Sequence, residues 1–364
     1  MKNNRIYSLD LLKFIASIII IFYHFQQETG LGTSVINLAS GKIYTWYVVE
    51  LFFVISGYLS MLSFASPGKT EETLKKGFYN YYKHKCIRIY PTAVLSILFT
   101  VFCGVLYRLY FGNWWHNIVP SLWKLFKTLI LFNGGLIKFD VTYGSITWYL
   151  SVLLLCYVLE FFIIYLCKRF SLNIEYLFTL LVLLGIAGYC SNANLPFFYY
   201  HTYRGYASFF IGCIIFKAYN NQILKRKSFL ICSIVSFVIC VFAWIVDFDL
   251  FYDDETCQWG IATVVLFPSI LIIFLELNRF FKSCFWKVLG DISFEMYLWH
   301  MPFIILYLIF NSFVLEIHDS EIFLINLFIV FMIIFSFFVY TFIEKPITRK
   351  LTNKFEKKLD LQKE

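Results

Sequence analysis

The chain reads as an all-α bundle of membrane-spanning helices, and three observations carry that reading. Of its 364 residues 60% are hydrophobic and only 15% are charged. Apolar runs close to 20 residues long recur from end to end, the length a helix needs to cross a bilayer. The lysines and arginines gather in alternate connecting segments, as positive-inside topology requires. Ten spans are predicted, at 8–25, 44–64, 91–110, 145–166, 173–190, 204–219, 228–247, 258–277, 291–311 and 321–343, with 118–132 as an interfacial or re-entrant piece. The runs at 173–190 and 204–219 are short for a full crossing. With the N-terminus inside, 24 of the 31 lysines and arginines fall in inner segments, so both termini are expected in the cytoplasm.

The first span holds Lys13 and His24. Eleven residues at about 100° each make three turns plus roughly 20°, so the two share one helix face, about 16 Å apart. Ionisable groups at such depth usually face a protein interior or a cavity and are functional candidates. The spacing alone also fits a snorkelling Lys13 with His24 at the outer interface. The basic N-terminal residues and apolar run resemble a secretory signal, but Phe25-Gln26-Gln27-Glu28 follows His24 in place of a cleavage site, so a retained helix is expected.

The second span, starting Trp46-Tyr47-Val48-Val49-Glu50, enters from outside and sets Glu50 level with His24. A carboxylate there can orient the imidazole, although it can also snorkel outward. On the pairing reading, Glu50→Gln lowers turnover and leaves expression intact. Further along, Ser56-Gly57 allows close helix approach. The inner loop ends in Lys83-His84-Lys85-Cys86-Ile87-Arg88-Ile89-Tyr90-Pro91, basic residues ahead of a span that starts at proline. Such a site can hold phosphates, and topology alone also explains it. In the outer loop, Trp114-Trp115-His116 offers aromatic faces of the kind that bind sugars, a pattern shared with interfacial belts. The ninth span places Tyr297 and His300 at i and i+3 near mid-membrane, beside Pro302. Beyond the last span, the tail reads as a short surface helix with little function of its own.

Several classes are excluded or weakened. The net charge of +8 is topological, and no nucleic-acid partner is expected. The ten cysteines stand singly, with no Cys/His cluster at metal spacing. There is no glycine-rich phosphate loop. No internal repeat is evident, which weighs against a transporter.

Taken together, the ordered segments resemble the acyltransferase-3 family of integral membrane proteins. They are Lys13 with His24, Leu51-Phe52-Phe53-Val54-Ile55-Ser56-Gly57-Tyr58 after Glu50, Lys85-x-x-Arg88-Ile89-Tyr90-Pro91, Thr147-Trp148-Tyr149-Leu150-Ser151, Tyr297-Leu298-Trp299-His300 and Glu344-Lys345-Pro346. Lysine stands at 13 and 85 where the family more often has arginine, and lysine lacks the bidentate fork. The resemblance implies one acyltransferase-3 domain over 1–345, with 346–364 as a cytoplasmic tail. It implies transfer of an acyl group, usually acetyl, from cytoplasmic acetyl-CoA as co-substrate, with no resident cofactor. The acceptor it implies is a hydroxyl of a surface carbohydrate, with capsule or exopolysaccharide favoured, in a bacterial plasma membrane. Glycan-synthesis proteins are the partners such a role suggests. By the same resemblance His24 is the catalytic centre assisted by Lys13 and Glu50, and Lys85 and Arg88 lie on the donor side. Trp148, Tyr297, His300 and Glu344 belong to the acceptor site or a polar path. The extra extracytoplasmic esterase-like domain of many relatives is not among these residues, so direct transfer to the acceptor, or hand-over of the acyl group to another protein, is expected. The competing class is an exporter of a glycan or lipid intermediate.

Overall fold

The computed structural model describes residues 5–31, 47–224, 227–245, 255–314 and 321–360. Every predicted span meets a helix there; residues 44–46 and 246–247 of two of them lie outside the described residues. In chain order the helices are α1 (Tyr7–Thr29), α2 (Val48–Ser60), α3 (Pro67–Phe111), α4 (Leu122–Leu129), α5 (Trp148–Phe170), α6 (Ile174–Ser191), α7 (Tyr200–Asn220), α8 (Lys227–Ile245), α9 (Glu255–Ile261), α10 (Phe267–Leu277), α11 (Cys284–Val314), α12 (Glu321–Val339) and α13 (Lys345–Asp360). Among the described residues seven helical segments are long and apolar enough to cross a membrane, and Val48–Phe64 and Lys227–Ala243 are shorter apolar helices. The protein is a multi-pass, all-α membrane bundle. Among the described residues the only β pairing is two isolated bridges.

Burial sorts the helices. α2 is buried almost all round, from Val48 to Ile55 and again at Gly57, Tyr58 and Ser60. A helix apolar on every face belongs at the centre of a bundle. It lies against α7, where Gly57 and Gly212 face each other's backbone: a Cβ at either would run into the carbonyl of Phe209 or Val54. Small residues let backbones meet where lipid gives no hydrophobic drive for association. α1 packs along α11, and α6 along α7. The exposed apolar side chains of α6 (Leu180, Leu183), α8 (Ile231, Val238) and α12 (Leu327, Ile334) form the lipid-facing surface.

One element differs from the sequence reading. The third span does not start at Pro91: α3 begins at Pro67, capped by Ser66, bends at Gly77 (φ +80°) and runs on through Pro91. The basic run therefore lies inside a helix, where its residues acquire faces. The 118–132 piece becomes α4, whose Leu122, Trp123 and Phe126 are exposed together, as an interfacial helix requires. Two π-helical turns, Ala262–Leu266 before α10 and Tyr340–Glu344 before α13, interrupt long helices.

Candidate active site

A cavity of about 770 Å³ opens between α2, α3, α5 and α11. Its α3 wall is one face of the helix, with Thr73, Lys76, Asn80 and His84 three and four apart and Tyr81, Lys85 and Arg88 likewise beside them. Continuation of the helix through Pro91 makes that face. Lys13 reaches the cavity from α1, and Glu356 of α13 is the sole acid in its lining.

The basic groups are held in different ways. Lys13 Nζ donates to Asp10 Oδ1 at 2.8 Å. Asp10 also accepts from Arg5 Nε at 2.5 Å, and Arg5 reaches Asp291 at 2.6 Å. The Asp10 carboxyl fits because residue 290 is glycine; a Cβ there would occupy the same space. Lys85 Nζ stands 4.3 Å from the ring centre of Tyr157 and 5.3 Å from that of Tyr81. Tyr81 donates in turn to the fully buried Glu160 at 2.5 Å, beside Ser60 at 2.6 Å. Arg88 makes no ion pair or hydrogen bond among the described residues, so its guanidinium is left for whatever enters the cavity.

Beyond the cavity, Tyr297 lies 6.0 Å from His300, and His300 stacks on His24 at 5.2 Å between ring centres with a 24° tilt. His300 is fully buried, and among the described residues neither ring nitrogen has a hydrogen-bond partner. The nearest acceptors are the carbonyls of Met296 and Tyr297, one turn back. His24 Nδ1 meets Gln27 Oε1 at 3.3 Å. With the amide oxygen accepting, Nδ1 carries the proton and Nε2 is left as a base.

The structure thus brings Lys13, Lys85, Arg88 and Tyr297 to one cavity, with His24 and His300 just past it. It does not form the expected His24–Glu50 pair. Arg204 Nε and Nη2 donate to the two Glu50 oxygens at 2.5 and 3.0 Å, and Trp259 Nε1 adds a third bond at 3.0 Å. The close glycine crossing of α2 and α7 puts this arginine opposite the acid, so Arg204, the first residue of the predicted span 204–219, is a buried partner. Trp148 belongs to the same cluster, its ring 4.8 Å from the Arg204 guanidinium and 4.5 Å from His201. Glu344 is buried beside Glu295, which also faces Thr92. Trp299 donates to Glu295 at 2.9 Å. Trp115 and His116 donate to Glu28 at 3.2 and 2.7 Å, one turn beyond His24.

Sequence reasoning missed Asp10, Glu160, His201 and Glu295. Asp10 stands three residues before Lys13, a readable helical pair, and Glu160 is an acid inside an apolar span, itself a signal. The tail also contributes more than expected: the buried Phe355 packs 5.1 Å from the His84 ring and under the Lys83 ammonium at 4.1 Å, which sets Glu356 at the cavity. Among the described residues no group of His, Cys, Asp and Glu is arranged for a metal, and all ten cysteines are free.

Neither the curated proteins nor the solved structures gave a match to this chain. The profile of the acyltransferase-3 family, described as an acyltransferase domain, matches residues 6–343. That match runs from the residue before α1 into the last π-helical turn and takes in Lys13, His24, Lys85, Arg88 and His300. The chain belongs to the acyltransferase-3 family of membrane acyltransferases.

Proposed function

We propose that this membrane acyltransferase moves an acetyl group from cytoplasmic acetyl-CoA to a hydroxyl of a carbohydrate at the outer face, a capsular or exported polysaccharide in the plasma membrane of a bacterium. The observation that carries the reading is the cavity. Its volume of about 770 Å³ suits a large ligand, and its basic stripe lies on the side that the lysine and arginine bias puts in the cytoplasm. An unpaired arginine in such a place fits a polyanion that stays on that side.

The chemistry follows from the geometry. The acceptor hydroxyl attacks the thioester carbonyl; the C–O bond forms, the C–S bond breaks and the CoA thiolate leaves. His24 Nε2 takes the hydroxyl proton and returns it to the thiolate. Gln27 fixes the tautomer and His300 holds the ring from its other face. Lys85 and Arg88 bind the donor phosphates, and Lys13, held by Asp10, adds positive charge along the path. A transient acyl-histidine at His24 balances equally well: nitrogen attacks the carbonyl, thiolate leaves, and the sugar oxygen then displaces the imidazole.

The test is consumption of labelled acetyl-CoA by purified protein with a polysaccharide acceptor present, for wild type and His24→Ala. Transfer that disappears in a normally folded His24→Ala supports the reading. Full activity in that variant would retire His24 as the centre, and a folded wild type that never consumes acetyl-CoA would remove this donor.

A further inference from the structure

The outward end of the cavity is defined on three separate helices, and on each it stops at an aromatic ring. On α2 the lining runs outward from Ser60 to Phe52, on α5 from Tyr157 to Tyr149, and on α11 from Gly290 to Tyr297. The next residue on that face of α11 is His300, which is not in the lining. The three terminal rings touch one another: Phe52 to Tyr149 at 6.1 Å, Phe52 to Tyr297 at 6.0 Å and Tyr149 to Tyr297 at 5.5 Å between centres. Those are ring-contact separations, so the carbonyl reaches the histidines only as the rings part, and every further carbon widens the opening needed. Two of the rings are tied by their hydroxyls. Tyr297 donates to the Ile146 carbonyl at 2.6 Å, and Tyr149 shares a hydrogen bond with Ser56 at 3.2 Å. On the far side of the rings stand His300 and His24.

We propose that Phe52, Tyr149 and Tyr297 form an acyl-length gate that limits the donor to short acyl thioesters, of roughly two or three carbons. The inference rests on the acyl-CoA reading above and goes on to name what sets the transferred group. A donor held by its phosphates at Lys85 and Arg88 must present its carbonyl toward the histidines, and carbons beyond that carbonyl meet this wall. An acetyl methyl needs little room there. A longer chain has to displace rings that two hydrogen bonds hold in place. Phe52 lacks such a bond, so it is the ring whose removal opens the gate with least damage.

The experiment uses the full chain in detergent. Labelled acetyl-CoA is bound, and CoA, acetyl-CoA, butanoyl-CoA and hexanoyl-CoA compete for it, with wild type, Phe52→Ala and Phe52→Leu. In wild type, butanoyl-CoA should compete about tenfold or more weakly than acetyl-CoA, and hexanoyl-CoA more weakly still. Phe52→Ala should bring butanoyl-CoA to within about threefold of acetyl-CoA. Gel filtration and melting establish that each variant is folded; if Phe52→Ala is not, Phe52→Leu decides. Acetyl-CoA binding with equal competition by every chain length, or an unchanged order in a folded variant, overturns the gate and leaves the donor reading standing. Folded wild type that binds none of the thioesters overturns the donor reading, and the gate with it.

Discussion

The two ends of the bundle use charge in opposite ways. At the outer end each charged group at the site is matched: Glu50 by Arg204 and Trp259, Glu28 by His116 and Trp115, Asp140 by Lys127. At the inner end Lys13 is matched by Asp10, and Arg5 by Asp10 and Asp291, but on the cavity wall Lys85 lies over tyrosine rings with Glu160 behind them, and Arg88 has no ion-pair or hydrogen-bond partner among the described residues. Charges that neutralise each other inside a bundle hold helices in place. A charge left open on a cavity wall is free to meet an anion there, which is the role proposed above for Arg88. Exposure alone does not separate the two sets, whereas partnership does.

The comparison breaks most readily at Glu50. Glu50→Gln strands the buried Arg204 charge, a loss of about 3–5 kcal/mol. The yield of folded protein should fall and its melting temperature should drop by many degrees, contrary to the sequence expectation of intact expression with lowered turnover. Normal melting with lost transfer would return Glu50 to the chemistry. Arg88→Gln should do the reverse. It breaks no ion pair or hydrogen bond among the described residues, so melting should change little, while affinity for acetyl-CoA falls about tenfold to a hundredfold, the worth of hydrogen bonds to a charged group. Binding and melting measured on the same preparation separate the two cases.

Phe355→Ala sharpens the contrast at the cavity mouth. It loosens α13 from Lys83 and His84 by roughly 1–3 kcal/mol of lost burial. Donor binding should weaken by a few-fold, with the rest of the bundle intact, and a protease accessibility assay on the tail together with binding reads both. At the outer loop the effect is smaller and depends on pH. The Lys127 ammonium, hydrogen-bonded to Asp140, holds that carboxyl below its ordinary value of 3.8. A lowered value means that the stabilisation is complete above about pH 4 and is lost as pH falls through the folded-state value. Hydrogen exchange of the 133–144 loop should therefore be flat from neutral pH down to about pH 4, after correction for intrinsic rates, and protection should fall below it; Asp140→Asn should remove that step. Smallest of all, Glu72→Ala breaks an exposed helical pair with Lys76, and melting should not change.

What the sequence could show was what lies close along the chain. Helical period placed Lys13 and His24 on one face and Tyr297 beside His300, and the apolar runs located the helices. The partner of Glu50 was not legible, because Arg204 lies 154 residues away and meets it only where two glycines let α2 and α7 cross. The stacking of His24 on His300 is likewise a product of how α1 lies along α11. The basic run before Pro91 was visible as charge, but its face toward the cavity required knowing that the helix passes through the proline. The tail was read from its own composition, which says nothing of Phe355 finding a seat on α3.

The π-helical turn at Tyr340–Glu344 sets the rotational phase of everything after it. Deleting one residue just after it, in the first turn of α13, would turn the rest of that helix by about 100° about its axis and draw it back by about 1.5 Å, swinging Phe355 off α3 and Glu356 away from the cavity mouth. Reinserting one residue further along the same helix, before Phe355, would restore the angle. The turn is thus a timing element that keeps the last helix in step with the cavity.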